Sequence, residues 1–146
     1  MAEAMGSDWR PGMSNSEKAP FAISAERRDG VARIHAHGEL DLETVPLLER
    51  ALEAVDQLEL TRVVLDFRDL RFVDSTGVHA ILRAHTRATE NGSVLVVVNS
   101  SENVRKVFEL TRTDYLFQIT SDDPIEAQSD RGPDWVPIAI PETTDG

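Results

Sequence analysis

The residues best suited to chemistry in this chain are Asp74, Ser75, Thr76 and Gly77. They follow an apolar, β-branched run at 62–67 and precede a stretch of helical period. They therefore fall at the mouth of a sheet, where a helix begins. Asp, Ser and Thr side-chain oxygens accept from the unpaired N–H groups of a helix start. The same N–H groups and the helix dipole favour an anion. A hydroxyl on such a turn is placed to carry a phosphate, which adds about -1.5 to -2 charges. Gly77 would leave the backbone open to close approach. These residue types equally make a good helix cap, so local chemistry leaves a structural reading and a phosphoacceptor reading side by side. A nucleophilic Ser75 fits poorly. The nucleophile elbow is Gly-x-Ser-x-Gly, and Val73 fills the first glycine position.

Other titratable residues make weaker constellations. His35 and His37 lie two apart on an expected strand, so they share a face, but no third metal ligand accompanies them. Asp41, Asp66 and Asp74 could hold Mg²⁺ weakly, although Asp66 reads better as a strand end and turn cap. No Gly-x-x-x-x-Gly-Lys loop is present to cradle nucleotide phosphates. His79 and His85 are six apart and do not share a helix face.

The elements that position the turn are legible by period. Residues 21–28 and 31–36 alternate apolar and polar around Asp29-Gly30, which predicts an antiparallel hairpin turning on a positive-φ glycine. Val45, Leu48, Leu52 and Val55 predict a helix capped by Asp41 or Thr44, with Pro46 in its first turn. Residues 62–67 and 93–98 read as strands buried on both faces. Val78, Ile81, Leu82 and His85 predict a second helix, ended by Asn91-Gly92, with Arg83 and Arg87 on its wet face. Val104, Val107 and Phe108 predict a third helix, capped by Ser101. A short strand at 116–119 follows, and Asp123-Pro124 opens a brief fourth helix. Strand–helix repeats after a hairpin give an α/β fold: a mixed sheet with βαβαβ units and helices packed against it.

Composition narrows the function. The chain has 146 residues and a net charge of -11. Such acidity suits neither a nucleic-acid backbone nor an anionic membrane. No apolar run is long enough to cross a bilayer. The first twelve residues lack the basic start and apolar stretch of a secretory signal. With no cysteine, disulfides, zinc knuckles and thiol nucleophiles are excluded, and a reducing compartment fits. Residues 121–146 carry seven acids against one base, Arg131. Flexible tails are expected over 1–19 and 128–146, flanking a domain at 20–127. One apolar patch, Trp135-Val136-Pro137-Ile138-Ala139-Ile140-Pro141, interrupts the second tail and either docks on a surface or is idle.

Three motifs in fixed order carry a family resemblance: Gly38-Glu39-Leu40-Asp41, Val63-Val64-Leu65-Asp66-Phe67 and Phe72-Val73-Asp74-Ser75-Thr76-Gly77-Val78. Through them the chain is similar to the STAS family, and within it to the anti-sigma factor antagonists, over about residues 20–127. The resemblance implies a bacterial cytoplasmic regulator that is not an enzyme and needs no cofactor or metal. Ser75 would be the phosphoacceptor. The partner would be an anti-sigma factor serine kinase with the histidine-kinase-like ATPase fold, and a serine phosphatase would reset the switch. The implied contact residues are Asp41, Asp74, Ser75, Thr76, Gly77, Val78 and His79. The stretch after the motif glycine, Val78-His79-Ala80-Ile81, departs from the family's common glycine-rich pair. The alternative is a STAS scaffold or sensor subunit of a signalling assembly, or a soluble accessory subunit of a transport system.

Overall fold

The computed structural model describes residues 20–99, 101–116, 118–121 and 134–141. Strands β1 (Ala22–Arg28) and β2 (Val31–Leu40) open the fold as an antiparallel hairpin. The left-handed residue of its turn is Asp29, at φ 55°, and not Gly30 as expected. An Asp tolerates that conformation because its short polar side chain bonds locally. Helix α1 (Val45–Asp56), strand β3 (Arg62–Val73), helix α2 (Ser75–Glu90), strand β4 (Val94–Val98), helix α3 (Glu102–Leu110) and strand β5 (Gln118–Thr120) follow. A short β6 (Val136–Pro137) completes a six-stranded mixed sheet of order β5-β4-β3-β2-β1-β6.

That order decides where the helices lie. Strands β2 to β5 are parallel, and each is displaced the same way from the last. Right-handed crossovers then place all three helices on one face. Side chains of α1, α2 and α3 accordingly share one core with Ile34, Leu65, Phe67 and Val97. The alternate residues Glu26, Arg33, His35, Val64, Asp66 and Val98 belong to the opposite face. Burial of Leu48, Leu52 and Val55 from α1, and of Val78 and Ile81 from α2, follows their helical spacing. Arg83 and Arg87, expected in solvent, reach across to Glu49 (2.6 Å) and Asp56 (2.9 Å) of α1.

Strands β2 and β3 run longer than their apolar runs suggest. Two register shifts, between His35 and His37 and between Gly38 and Glu39, let β3 carry extra residues opposite β2. Gly38 lies at φ +109°, and a Cβ there would come within 3.0 Å of the Pro20 carbonyl oxygen. Only glycine accepts both the conformation and the approach. The last strand of the parallel set begins two residues later than expected, at Gln118.

The tail requires a correction. Flexibility was expected over 128–146, yet 134–141 holds an ordered stretch whose β6 pairs with β1. Acids and prolines give that segment the composition of a solvated chain. Its alternate apolar residues nonetheless find cover: Ile138 and Ile140 pack on the core. The expected tail at 1–19 and the fourth helix at Asp123-Pro124 lie outside the described residues.

Candidate functional site

Leu40 and Val73 are register partners at the ends of parallel β2 and β3. The loops that leave these strands therefore open on the same rim of the sheet. A backbone bond joins them: Asp74 N–H donates to the Leu40 carbonyl (3.1 Å). The Asp41 loop and the Ser75 turn are thus one surface, built from residues more than thirty positions apart.

The turn itself is organised by Asp74. Its backbone is extended, at φ -104° and ψ -177°, and it occupies the N-cap of α2. The carboxylate Oδ1 accepts from Gly77 N–H (3.0 Å), and its carbonyl accepts from Val78 N–H (3.1 Å). A cap bond of this kind contributes about 1 kcal/mol. Ser75 is the first residue of α2 and is exposed. Gly77 proves to be a packing glycine. A Cβ at 77 would stand 2.7 Å from Val73 Cγ2 and 3.0 Å from Leu40 Cδ2, beneath the turn and not on its outer side. Val78 is fully buried. Both had been placed among the contact residues. They form the underside of the turn because the helix's first apolar positions face the core.

The facing loop is knitted by Asp41 and Thr44. Asp41 Oδ1 accepts from Glu43 N–H (3.0 Å) and Thr44 N–H (3.2 Å). Thr44 Oγ1 donates to the Glu39 carbonyl (2.8 Å) and accepts from Asp41 N–H (2.9 Å). Thr44 holds the N-cap position of α1 without a side-chain cap bond, and the Asp41 carboxylate bonds loop N–H groups ahead of the helix, so neither side chain caps α1 as expected. Only the Asp41 backbone carbonyl reaches it, accepting from Val45 N–H (2.8 Å).

Ser75 and His79 are exposed, while Asp41, Asp74 and Thr76 are half-buried. Sequence reasoning did not single out two apolar neighbours. Leu42 is 72% exposed and Phe72 is 43% exposed. Leu42 follows Asp41, and Phe72, one residue before the end of β3, lies beside Glu39. Apolar residues in solvent beside a polar turn are the usual composition of a contact surface.

The remaining candidates lie elsewhere. His35, on the helix-free face, sits between two carboxylates, with Nε2 3.1 Å from Glu26 Oε2 and Nδ1 3.2 Å from Asp66 Oδ2. The Asp66 hydrogen bond raises its pKa, burial opposes this, and Glu26 adds to the rise. Asp66 does not join Asp41 and Asp74. Arg68 grips it bidentately, Nε to Oδ1 at 2.9 Å and NH2 to Oδ2 at 2.7 Å. Burial works against its charge, but the Arg68 and His35 bonds prevail and hold the carboxyl far below the usual range. His37 is exposed. Among the described residues, no three His, Asp or Glu side chains converge as a metal site. No described helix is long and apolar enough to cross a membrane.

A mixed sheet with three helices on one face and a capped serine turn at its rim defines a protein class. The family model described as STAS domain matches residues 22–127, and the chain belongs to that family. Among the relatives it matches are anti-sigma factor antagonists. The anti-sigma-B factor antagonist of Staphylococcus aureus is 24% identical over 104 residues, covering 71% of this chain and 96% of the relative. The crystal structure of an anti-sigma factor antagonist from Mycobacterium paratuberculosis superposes with a TM-score of 0.67 at 26% identity, over 76% of this chain and 95% of that one. The anti-sigma factor antagonist SpoIIAA in its unphosphorylated form gives 0.61 at 26% identity, over 73% and 93%.

Proposed function

We propose that this chain is an anti-sigma factor antagonist switched by phosphorylation of Ser75. The carrying observation is the exposed Ser75 at the start of α2, on a turn whose cap and backbone are already bonded. Unphosphorylated, the rim docks on an anti-sigma factor that is also a serine kinase, and the sigma factor is released. Ser75, Thr76 and His79 face the partner, with Asp41 and Asp74 beside them. Leu42 and Phe72 supply apolar area, and Gly77 and Val78 set the shape from below. A serine phosphatase restores the docking form. The chain acts in the cytoplasm as a substrate and ligand, with no chemistry of its own.

Electrostatics supports the direction of the switch. A phosphate on Ser75 adds charge beside the Asp74 carboxylate and on the rim that Asp41 shares. Like charges brought together at a water-excluding contact repel far more than at an open surface. A difference of about 3 kcal/mol separates the two forms by roughly a hundredfold in affinity. The α2 N-terminus accepts an anion, so the fold need not change. In the test, the chain is incubated with ATP and its cognate anti-sigma kinase, found by pull-down from native lysate. Intact mass should rise by one phosphate in the wild type and stay unchanged in Ser75→Ala. Equal phosphorylation of Ser75→Ala, or equal kinase affinity of the two forms, overturns the reading.

A further inference from the structure

A second surface lies on the helix-free face of the sheet and along its β1 edge, where residues 134–141 of the chain are held as an extended peptide. Val136 and Pro137 pair with Arg27 and Glu26, and Ile138 N–H donates to the Ala25 carbonyl (2.9 Å). Alternation sends Ile138 and Ile140 to the helix side, against the core. Trp135 goes to the other side. Its ring lies 4.0 Å from the Arg33 guanidinium and 4.7 Å from that of Arg28, and it packs with Val31 against Val64 and Val98.

This is recognition by strand addition: main-chain bonds hold the peptide, and alternate side chains are read in separate places. The ladder is only two residue pairs long. Most of the hold must therefore come from the Trp135 and isoleucine anchors. A guanidinium over an indole is strongest where water is excluded, and Arg33 is only 4% exposed. Charge matches as well. The acid Asp134 leads into the ring, and the β1 edge carries Arg27 and Arg28. A tethered ligand of this kind holds its site through high local concentration more than through intrinsic affinity, so a competitor in trans can replace it.

We propose that the β1 edge and the Arg33 guanidinium form a docking site for an extended peptide with an aromatic residue behind an acid and alternate aliphatic residues after it, and that residues 134–141 fill it in cis as an exchangeable ligand. The partner is a protein bearing such a segment. Ser75 takes no part, so this site and the switch fail independently.

A fluorescently labelled synthetic peptide spanning residues 132–141 is titrated into the full-length chain and followed by anisotropy. Trp135→Ala loosens the cis segment, and that variant should bind the peptide at least tenfold more tightly than wild type. A peptide with alanine in place of the tryptophan should bind it at least tenfold less tightly. The chain has no cysteine, so Arg27→Cys with Val136→Cys sets a single disulfide across paired residues. The oxidised form should refuse the peptide, and reduction should restore binding. Ser75→Ala should match wild type. Absence of binding to a Trp135→Ala chain of native circular dichroism overturns the proposal. So does equal binding, or none, by the oxidised and reduced forms, and this comparison decides alone if Trp135→Ala does not fold.

Discussion

The rim around Ser75 and the helix-free face of the sheet both gather acidic side chains, and they use them in opposite ways. At the rim, Asp74 and Asp41 point carboxylate oxygens at backbone N–H groups of their own loops. On the face, Asp66 lies in the fork of Arg68, and Glu26 takes Arg33 at 2.9 Å, with His35 between the two carboxylates. Rim carboxylates fix loop shape on the surface proposed to meet the partner. Face carboxylates are matched by cations and tie β1, β2 and β3 together. New charge is therefore felt at the rim, whereas the face converts charge into cohesion. The phosphate proposed for Ser75 would fall at the former.

The largest break in this contrast is expected at Asp66. Its side chain is 7% exposed, and Asp66→Asn leaves the Arg68 and His35 cations without their shared anion. Breaking one side of a buried pair costs about 3 kcal/mol, the low end of the range because Arg68 is partly solvated. Urea denaturation should show that loss, while phosphorylation at Ser75 proceeds as in the wild type in the fraction that is folded. Gly77→Ala comes next. In an open helix this change gains up to about 1 kcal/mol. Here the new methyl meets Val73 and Leu40 at 2.7–3.0 Å. Overpacking costs about 1–3 kcal/mol, so we expect a net loss of about 2 kcal/mol. An unchanged or higher urea midpoint would show that the turn is looser than its packing implies. Together the two variants test whether the face governs stability alone while the rim governs stability and recognition together.

The two regions were unequally legible in the sequence. The Ser75 turn could be found because its signal is local: Asp, Ser, Thr and Gly stand in a row between a strand and a helix of clear period. The rim's second half could be placed beside it only through the family motif, since nothing local says that Leu40 and Val73 are neighbours. The cluster on the face was invisible. Glu26, His35 and Asp66 come from three strands, and nothing local in the sequence says that His35 pairs with Glu26's strand on one side and with Asp66 on the other. Leu42 was not named and Phe72 was named only as part of the motif, because nothing in the sequence says that either apolar side chain stands in solvent. The tail was misread for a related reason. Prolines and acids dominate its composition, whereas its anchors, Trp135, Ile138 and Ile140, act through a neighbouring strand and a guanidinium far away in sequence.

The smallest effect is also the most diagnostic of the face. A neutral imidazole has one donor, so His35 can serve Glu26 and Asp66 together only as an imidazolium. Its pKa is raised in the folded chain, which fixes the sign. The contribution is complete below the ordinary histidine value of 6.5 and is lost as pH climbs through the raised folded value. The ring is 40% exposed, so solvent screening limits the effect to about 1 kcal/mol or less. Wild type should accordingly lose a little stability between neutral and mildly alkaline pH, relative to His35→Gln, whose curve should be flat over that window. The measurement is a pair of urea midpoints at several pH values. Parallel curves would mean that the imidazole bridges only one carboxylate, and that Arg33 and Arg68 alone hold the three strands' charges in balance.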